Sequence, residues 1–306
     1  MDIRKSVIGF IGAGRVGFTL GRYFKENGLS VAGYYSKSHE HADAAAQFTD
    51  SKVFDKLRDL IMQCDIIFIT VSDGAIETVA DEIYNLTSEK NDCESISIKN
   101  KIFCHCSGAL SSAVFFNLEQ TGGYGYSIHP MFAINDREQS YKEISKAFFT
   151  IEGNKEYLKF VSSIMEELGN EYQIIDGDKK TLYHSAAVMG SNLVIGLFDM
   201  AANTLRQCGF SEEGSMKALL PLFINNALNL EKTSVTKALT GPVDRGDYKT
   251  VSKHLEVLDE DSAKVYAMLS LQLMNIVSRK YDNEAVMDSE KKADYEKLEK
   301  ILKDIV

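Results

Sequence analysis

Basic charge is in short supply in this chain. Its 34 lysines and arginines stand against 44 aspartates and glutamates, a net charge of −10 with histidine neutral. Such a surface repels nucleic acid and anionic membrane, so neither is an expected partner. An anionic ligand needs a local cluster of donors working against that field. Long apolar runs are also missing. A membrane span needs about 18 or more apolar residues, and no stretch is purely apolar over that length. The nearest, "TLYHSAAVMGSNLVIGLF" at 181–198, is interrupted by Ser191 and Asn192. Cysteine is sparse and odd in number, at 64, 93, 104, 106 and 208. That scatter argues against a disulfide framework. In "CHCS", Cys104 and Cys106 are two apart on an expected strand with no second ligand pair nearby. Buried, reduced thiols are expected there, and no metal. No leader-like segment stands at the start: "MDIRKS" runs directly into an apolar strand. The expected location is the cytoplasm. Internal repeats and low-complexity tracts are absent.

What remains is an ordinary globular balance, 44% apolar and 25% charged over 306 residues, enough for two domains. The first half alternates short apolar runs with helical stretches. "SVIGFIG", "SVAGYYS", "DIIFITVS", "KIFCHCS" and "YGYSIHP" read as strands, and "AFFTIEG" and "EYQIID" extend the sheet. Near-continuous apolar strands between helices predict a parallel sheet covered on both faces. "TSEKNDCESISIKN" (87–100) reads as a polar surface insertion. After Asp176 the pattern turns helical throughout. One helix is expected over about 178–208, and a charged amphipathic helix closes the chain. The predicted architecture is α/β: a Rossmann dinucleotide-binding domain over 1–176, then an all-helical domain over 177–306.

The stretch Gly12-x-Gly14-x-x-Gly17 lies between the first strand and the first helix. That context turns a weak motif into a dinucleotide fingerprint. Gly12 permits the turn, Gly14 admits the pyrophosphate, and Gly17 lets helix pack close to strand. Ala13, Arg15 and Val16 complete the loop whose helix N-terminus receives the phosphates. An NAD site usually ends its second strand in Asp or Glu. Here Ser36, Lys37 and Ser38 stand instead. A hydroxyl and a cation suit a 2′-phosphate, so NADP is favoured over NAD. The bland alternative is that Lys37 is a solvated surface charge. Val71 and Ser72, in "TVSD", close another strand at the ligand-binding edge.

Ser107 and His129 follow two further strands on the same edge. Pro130 fixes the chain after His129, whose pKa suits acid–base work near neutrality. A structural histidine at a turn fits that pattern equally well.

Together the fingerprint, "HCSGAL", "HPM", "YHSAAVMGSN" and "ALTGPVDRGD" resemble a family of Rossmann-like NADP oxidoreductases with a helical C-terminal domain of unknown function. The resemblance spans nearly the whole chain. Its wider relatives are pyrroline-5-carboxylate reductase, ketopantoate reductase, prephenate dehydrogenase and the 6-phosphogluconate dehydrogenase group. "HPM" is similar to the prephenate dehydrogenase motif whose histidine contacts the substrate hydroxyl. Ala133 stands where their glycine follows. In ketopantoate and 6-phosphogluconate enzymes the first helix of the second domain carries a lysine and then an asparagine. By this resemblance His184 sits near the lysine position and Asn192 matches the asparagine. The lysine itself has no counterpart in this reading.

On one continuous helix, His184, Ser191 and Asn192 would form a polar strip about 12 Å long. Either it is a substrate site over the nicotinamide, or it stitches a helix interface. Arg245, in a Gly-Pro loop with Thr240, either clamps a substrate carboxylate or caps a helix. The reading is an NADP-dependent oxidoreductase moving a hydride to or from a C=O or C=N carbon of a small, anionic metabolite. One histidine shuttles the proton. The rival is a non-catalytic dinucleotide-binding sensor or partner-binding protein. The apolar "ALLPLFINNAL" and "VYAMLSLQLMNIV" predict a homodimer through the helical domain.

Overall fold

The computed structural model describes residues 2–88, 95–281 and 289–306. Residues 89–94 of the expected 87–100 insertion, including Cys93, lie outside the described residues. Eight strands form one sheet: β1 (Val7–Ile11), β2 (Ser30–Tyr35), β3 (Lys52–Val53), β4 (Ile66–Ile69), β5 (Ile102–His105), β6 (Tyr124–Met131), β7 (Phe148–Gly153) and β8 (Tyr172–Ile174). Their order is β3-β2-β1-β4-β5-β6-β7-β8. The α/β class expected from the alternating runs is what the chain adopts. Strands β1 to β6 pair parallel, but β7 runs antiparallel to β6. The link between β6 and β7 consists of short 3-10 turns, with no crossover helix to bring the chain back parallel. The two-residue β3 has no apolar run to announce it.

The helices of this part are α1 (Arg15–Glu26), α2 (His39–Thr49), α3 (Leu57–Gln63), α4 (Asp73–Ser88), α5 (Phe116–Gln120), α6 (Leu158–Leu168) and α7 (Lys180–Met189). Side chains alternate across each central strand. Ile8, Phe10, Ile66 and Phe68 enter one core layer with Leu20 and Phe24. Ile11, Ile67 and Ile69 enter the other with Leu60 and Ile83. Each fully buried Phe or Ile contributes roughly 1.5–3 kcal/mol. That alternation fixes the register, because a one-residue slip would exchange the two layers. Since β1 is flanked by β2 on one side and β4 on the other, its carboxyl end is the topological switch point, where open α/β sheets bind ligands.

The expected single helix over 178–208 is two. Helix α7 ends at Gly190, Ser191 leaves helical geometry at φ −130° and ψ −85°, and α8 (Asn192–Gln207) starts afresh. The chain divides here into two compact units, 1–190 and 191–306. Residue 176 marks the end of the strands, and α7 belongs to the first unit.

The second unit continues with α9 (Glu212–Lys232), α10 (Val235–Ala238), α11 (Pro242–Arg245), α12 (Tyr248–Val257), α13 (Glu260–Tyr281) and α14 (Ser289–Ile305). Its core lies among α11 to α14: Val243, Val251, Leu255, Ala267, Leu298 and Leu302. Helices α8 and α9 behave differently. Among the described residues, α8 buries only Ala202 and α9 only Ser215. Ile195, Leu222, Phe223, Ile224, Leu228 and Leu230 are all exposed, Ile195 to 71%. By length and composition the segment Gly177–Gln207 is apolar enough to cross a membrane. The break at Gly190–Ser191 and the buried charge of Lys180 fall inside that segment.

Candidate active site

The fingerprint loop is shaped as its glycines require. Gly12 sits at φ +100°, a conformation other residues rarely adopt. Its N–H donates to the Tyr35 carbonyl at 2.8 Å, and the Thr70 hydroxyl donates to the Gly12 carbonyl at 2.8 Å. A Cβ on Gly17 would stand 2.4 Å from Thr70 Oγ1 and 2.6 Å from the Gly12 carbonyl oxygen. Gly14 is the opposite case: the nearest atom to its would-be Cβ is 3.8 Å away. That opening is the space a pyrophosphate needs beside the first turn of α1, where Arg15 and Val16 have no helical carbonyl to bond. Ala13 is buried under the loop, while Gly14 and Arg15 are exposed. Val71 packs against Gly12, and the Ser72 carbonyl receives the Ala75 N–H at the start of α4. The residues present therefore fit a dinucleotide.

At the end of β2, Ser36 is partly buried and the Ser38 hydroxyl caps α2, accepting the His41 N–H. Lys37 is exposed and reaches Glu82 at 3.4 Å. An exposed pair of that kind is worth little and is easily exchanged for a phosphate. His39 lies between Asp43 at 2.8 Å and Asp55 at 3.2 Å, whose hydrogen bonds raise its pKa. NADP(H) should therefore bind at least about tenfold tighter than NAD(H), or about 1.4 kcal/mol. Lys37→Ala should weaken NADP selectively. Calorimetry with both cofactors checks this, and equal affinities would count against the assignment.

Ser107 and His129 come together with His184 within the first unit. A Cβ on Gly108 would lie 2.5 Å from His184 Nδ1 and 2.9 Å from His129 Nε2. Both ring nitrogens thus converge beside the Ser107–Gly108 turn. The imidazoles are 6.3 Å apart between centroids and nearly perpendicular. His129 Nδ1 is 2.6 Å from the Tyr183 hydroxyl. His184 Nδ1 is buried and has no hydrogen-bond partner among the described residues. A buried polar atom left unpaired is costly, and a ligand atom is one way to satisfy it. The Ser107 hydroxyl donates to Asp73 Oδ2 at 2.7 Å and accepts the Ala109 and Leu110 N–H groups. It is thereby held in place at the end of β5.

The sequence reading missed a buried lysine. Lys180, one turn before His184 on α7, is 2% exposed. Its ammonium donates to the Ser107 carbonyl and to Ser127 Oγ, each at 2.8 Å. A lysine does therefore stand on the helix that carries His184. Its four-residue spacing from His184, which puts both on one helix side, was the available signal. Burial lowers its pKa to about 8, opposed by Glu152. Glu152 is buried too, accepting the Ser112 N–H at 2.5 Å and its hydroxyl at 2.9 Å. Burial raises its pKa. Asp73 and Tyr183 also stand closer to the histidines' network than sequence reasoning allowed.

Burial, then the Lys180 charge, lowers His129 to about 4. Burial also lowers His105 to about 4. His105 Nδ1 accepts the Ser107 N–H while Nε2 donates to the Ser111 carbonyl, which fixes its neutral tautomer. Free histidine titrates near 6.5, so the unfolded chain binds more protons than the folded one between about pH 4 and 6.5. This contribution to stability is complete above pH 6.5 and is lost as pH falls toward 4. At pH 5 the loss is about 2 kcal/mol per histidine. Thermal melts at pH 7 and pH 5 should show a smaller acid loss for His129→Gln than for the unaltered protein. Equal losses would contradict a buried neutral His129.

The other expected site residues lie in the second unit. Ser191 and Asn192 are exposed at the start of α8, with the Ser191 hydroxyl donating to Asn192 Oδ1 at 3.1 Å. The expected continuous helix joining them to His184 is not formed: it is broken between Met189 and Asn192, so angular counting does not carry across. Thr240 lines an apolar cavity of about 500 Å³ with Leu197, Met200 and Tyr266. Arg245 is exposed at the end of α11. Cys64 and Cys106 are pushed up to about 12 by burial, and Cys104 is raised as well. These thiols stay protonated and inert.

The sheet and its glycine loop are those of a Rossmann-type dinucleotide-binding fold. Residues 7–100 match the family described as coenzyme F420-dependent NADP oxidoreductases. Residues 147–273 match a domain of unknown function, DUF2520. The N-terminal part is thus similar to an NADP-dependent oxidoreductase domain, and the helical part to a domain of unknown function. A solved Thermotoga maritima protein is 27% identical, with a TM-score of 0.70 over 89% of this chain and 99% of that one. A proposed NADP oxidoreductase of Bacteroides fragilis is 22% identical, with a TM-score of 0.66 over 89% and 98%. A Plasmodium falciparum pyrroline carboxylate reductase, solved with NADP bound, is 15% identical, with a TM-score of 0.56 over 97% and 99%. At those last two identities the likeness is one of fold. None of the curated proteins matches the sequence.

Proposed function

We propose that this enzyme transfers a hydride between NADP and the C=O or C=N carbon of a small, anionic metabolite. The observation that carries the reading is the convergence of His129 Nε2 and His184 Nδ1 beside Gly108. The nicotinamide supplies the hydride chemistry when bound. The loop Gly12–Gly17 and first turn of α1 hold its phosphates, and Ser36, Lys37 and Ser38 hold the 2′-phosphate. Val71 and Ser72 line the path beyond β4. His184, with an unpaired buried nitrogen, binds the substrate heteroatom and passes the proton. His129, neutral and oriented by Tyr183, accepts or returns it. Ser107, fixed by Asp73, shapes the turn between them. Ser191, Asn192, Thr240 and Arg245 lie in the second unit and are given no part in this step. The rival, a dinucleotide-binding sensor without turnover, predicts no oxidation of NADPH in a substrate screen.

A screen of NADPH oxidation against small oxo acids, imines and their neutral analogues tests the reading. Turnover should be confined to carbonyl or imine substrates and should favour the acids. His184→Ala should lower it by about 100-fold, the range of a lost general acid. Oxidation of none of them would contradict it.

The protein works as a cytoplasmic homodimer, and neither membrane nor nucleic acid is a partner. The support is in α8 and α9, whose apolar residues point in several directions around each helix and are exposed. Asn225, Asn226 and Asn229 are interspersed on α9, which suits a protein partner better than lipid. Sedimentation should give roughly twice the chain mass of 34.1 kDa at micromolar concentration. A monomer would contradict this.

A further inference from the structure

Lys180 is nearly inaccessible, yet among the described residues its ammonium bonds only neutral oxygens, the Ser107 carbonyl and the Ser127 hydroxyl. A buried ammonium carries a desolvation cost that a methionine of similar length would not. Packing alone therefore does not account for a lysine here. Its placement suggests what the charge does. Ser127 and His129 are two apart on β6 and share one face of the sheet. The Ser127 hydroxyl also donates to the Ser107 carbonyl at 3.3 Å. The ammonium lies 5.5 Å from the Tyr183 ring centre, and Tyr183 is bonded to His129.

We infer that Lys180 is a positioning residue: it ties the Ser107–Gly108 turn to β6 beside the two histidines, and its charge adds to burial in disfavouring a proton on His129. This rests on the reading of His129 as the proton-transfer group. The groups facing His129 bear out the sign. From α7 come Lys180, His184 and Tyr183, from α4 Asp73, and from β5 His105. Lys180 opposes protonation of His129, His184 and His105 do so more weakly, and the Asp73 carboxylate favours it.

The test is a ¹⁵N and ¹³C NMR titration of the His129 ring, which needs no turnover. A protein that reduced no substrate would still report on Lys180, so failure of the enzymatic reading is separable from failure of this one. In Lys180→Met the His129 midpoint should rise by about one pH unit or more toward the free value. In Lys180→Arg, which keeps the charge, it should stay near that of the unaltered protein. An unchanged midpoint in a folded Lys180→Met would overturn the proposal. Should that variant not fold, the unaltered protein decides. The Ser107 and Gly108 amide resonances and the His129 ring should share an inflection near pH 8, where Lys180 loses its proton. No inflection between pH 7 and pH 10 would overturn it as well.

Discussion

Replacing Gly108 with alanine is expected to lower kcat/KM by about 100-fold or more, roughly 2.7 kcal/mol of transition-state stabilisation. The added methyl would stand 2.5 Å from His184 Nδ1 and 2.9 Å from His129 Nε2. Nonbonded heavy atoms prefer about 3.5–4.0 Å, so at least one imidazole must move. His129 is held by Tyr183 at 2.6 Å, while His184 Nδ1 has no bond to lose. His184 is the ring that gives way. Because a side chain yields and the backbone does not, the melting temperature should fall by only a few degrees. NADP affinity should stay within about threefold, under 1 kcal/mol. Initial rates of NADPH oxidation, calorimetry and thermal melts read the three quantities. Near-normal turnover would show that the two histidines do not form the reaction site.

The second large effect belongs to the cofactor loop. Gly17→Ala should weaken NADP by about 30-fold or more, some 2 kcal/mol. Its methyl would meet Thr70 Oγ1 at 2.4 Å and the Gly12 carbonyl oxygen at 2.6 Å. Backbone is one of the obstacles, so α1 must lift from the sheet. Overpacking of that kind costs about 1–3 kcal/mol, and the protein should also melt lower. Gly14→Ala makes the contrast. Its methyl would find its nearest atom at 3.8 Å, so stability should be unchanged while the pyrophosphate is obstructed. Loss of affinity in both variants, with loss of stability only in Gly17→Ala, is the expected pattern. Equal NADP binding by Gly14→Ala and the unaltered protein would contradict the loop's role.

The Rossmann half was legible because its signals are local. Apolar runs such as "VIGFI" and "IIFI" alternate into two core layers, and the glycine spacing lies between a strand and a helix. The reversal of β7 was not legible, since strand direction depends on the path of a link that lacks a helix. The break at Gly190–Ser191 was hidden for a related reason. Both flanking segments have helical composition, and a single glycine is tolerated in many helices. At the site, His129 and His184 were both expected beside the nicotinamide, but the turn at Gly108 where their ring nitrogens lie is encoded in no spacing. Lys180 was overlooked because lysine reads as a solvated surface charge, and only the fold shows it buried. Tyr183 reads from sequence as a weaker site candidate or a core residue, and its hydroxyl lies beside His129.

The central claim is that NADP binds on the Gly12–Gly17 loop with its nicotinamide directed to the His129–His184 pair. A crystal structure of the protein with NADP tests this most directly. The account predicts the pyrophosphate at the start of α1, the 2′-phosphate among Ser36, Lys37 and Ser38, and the nicotinamide C4 facing the gap between the two imidazoles. A nicotinamide turned away from both histidines, or a cofactor bound elsewhere, would contradict it.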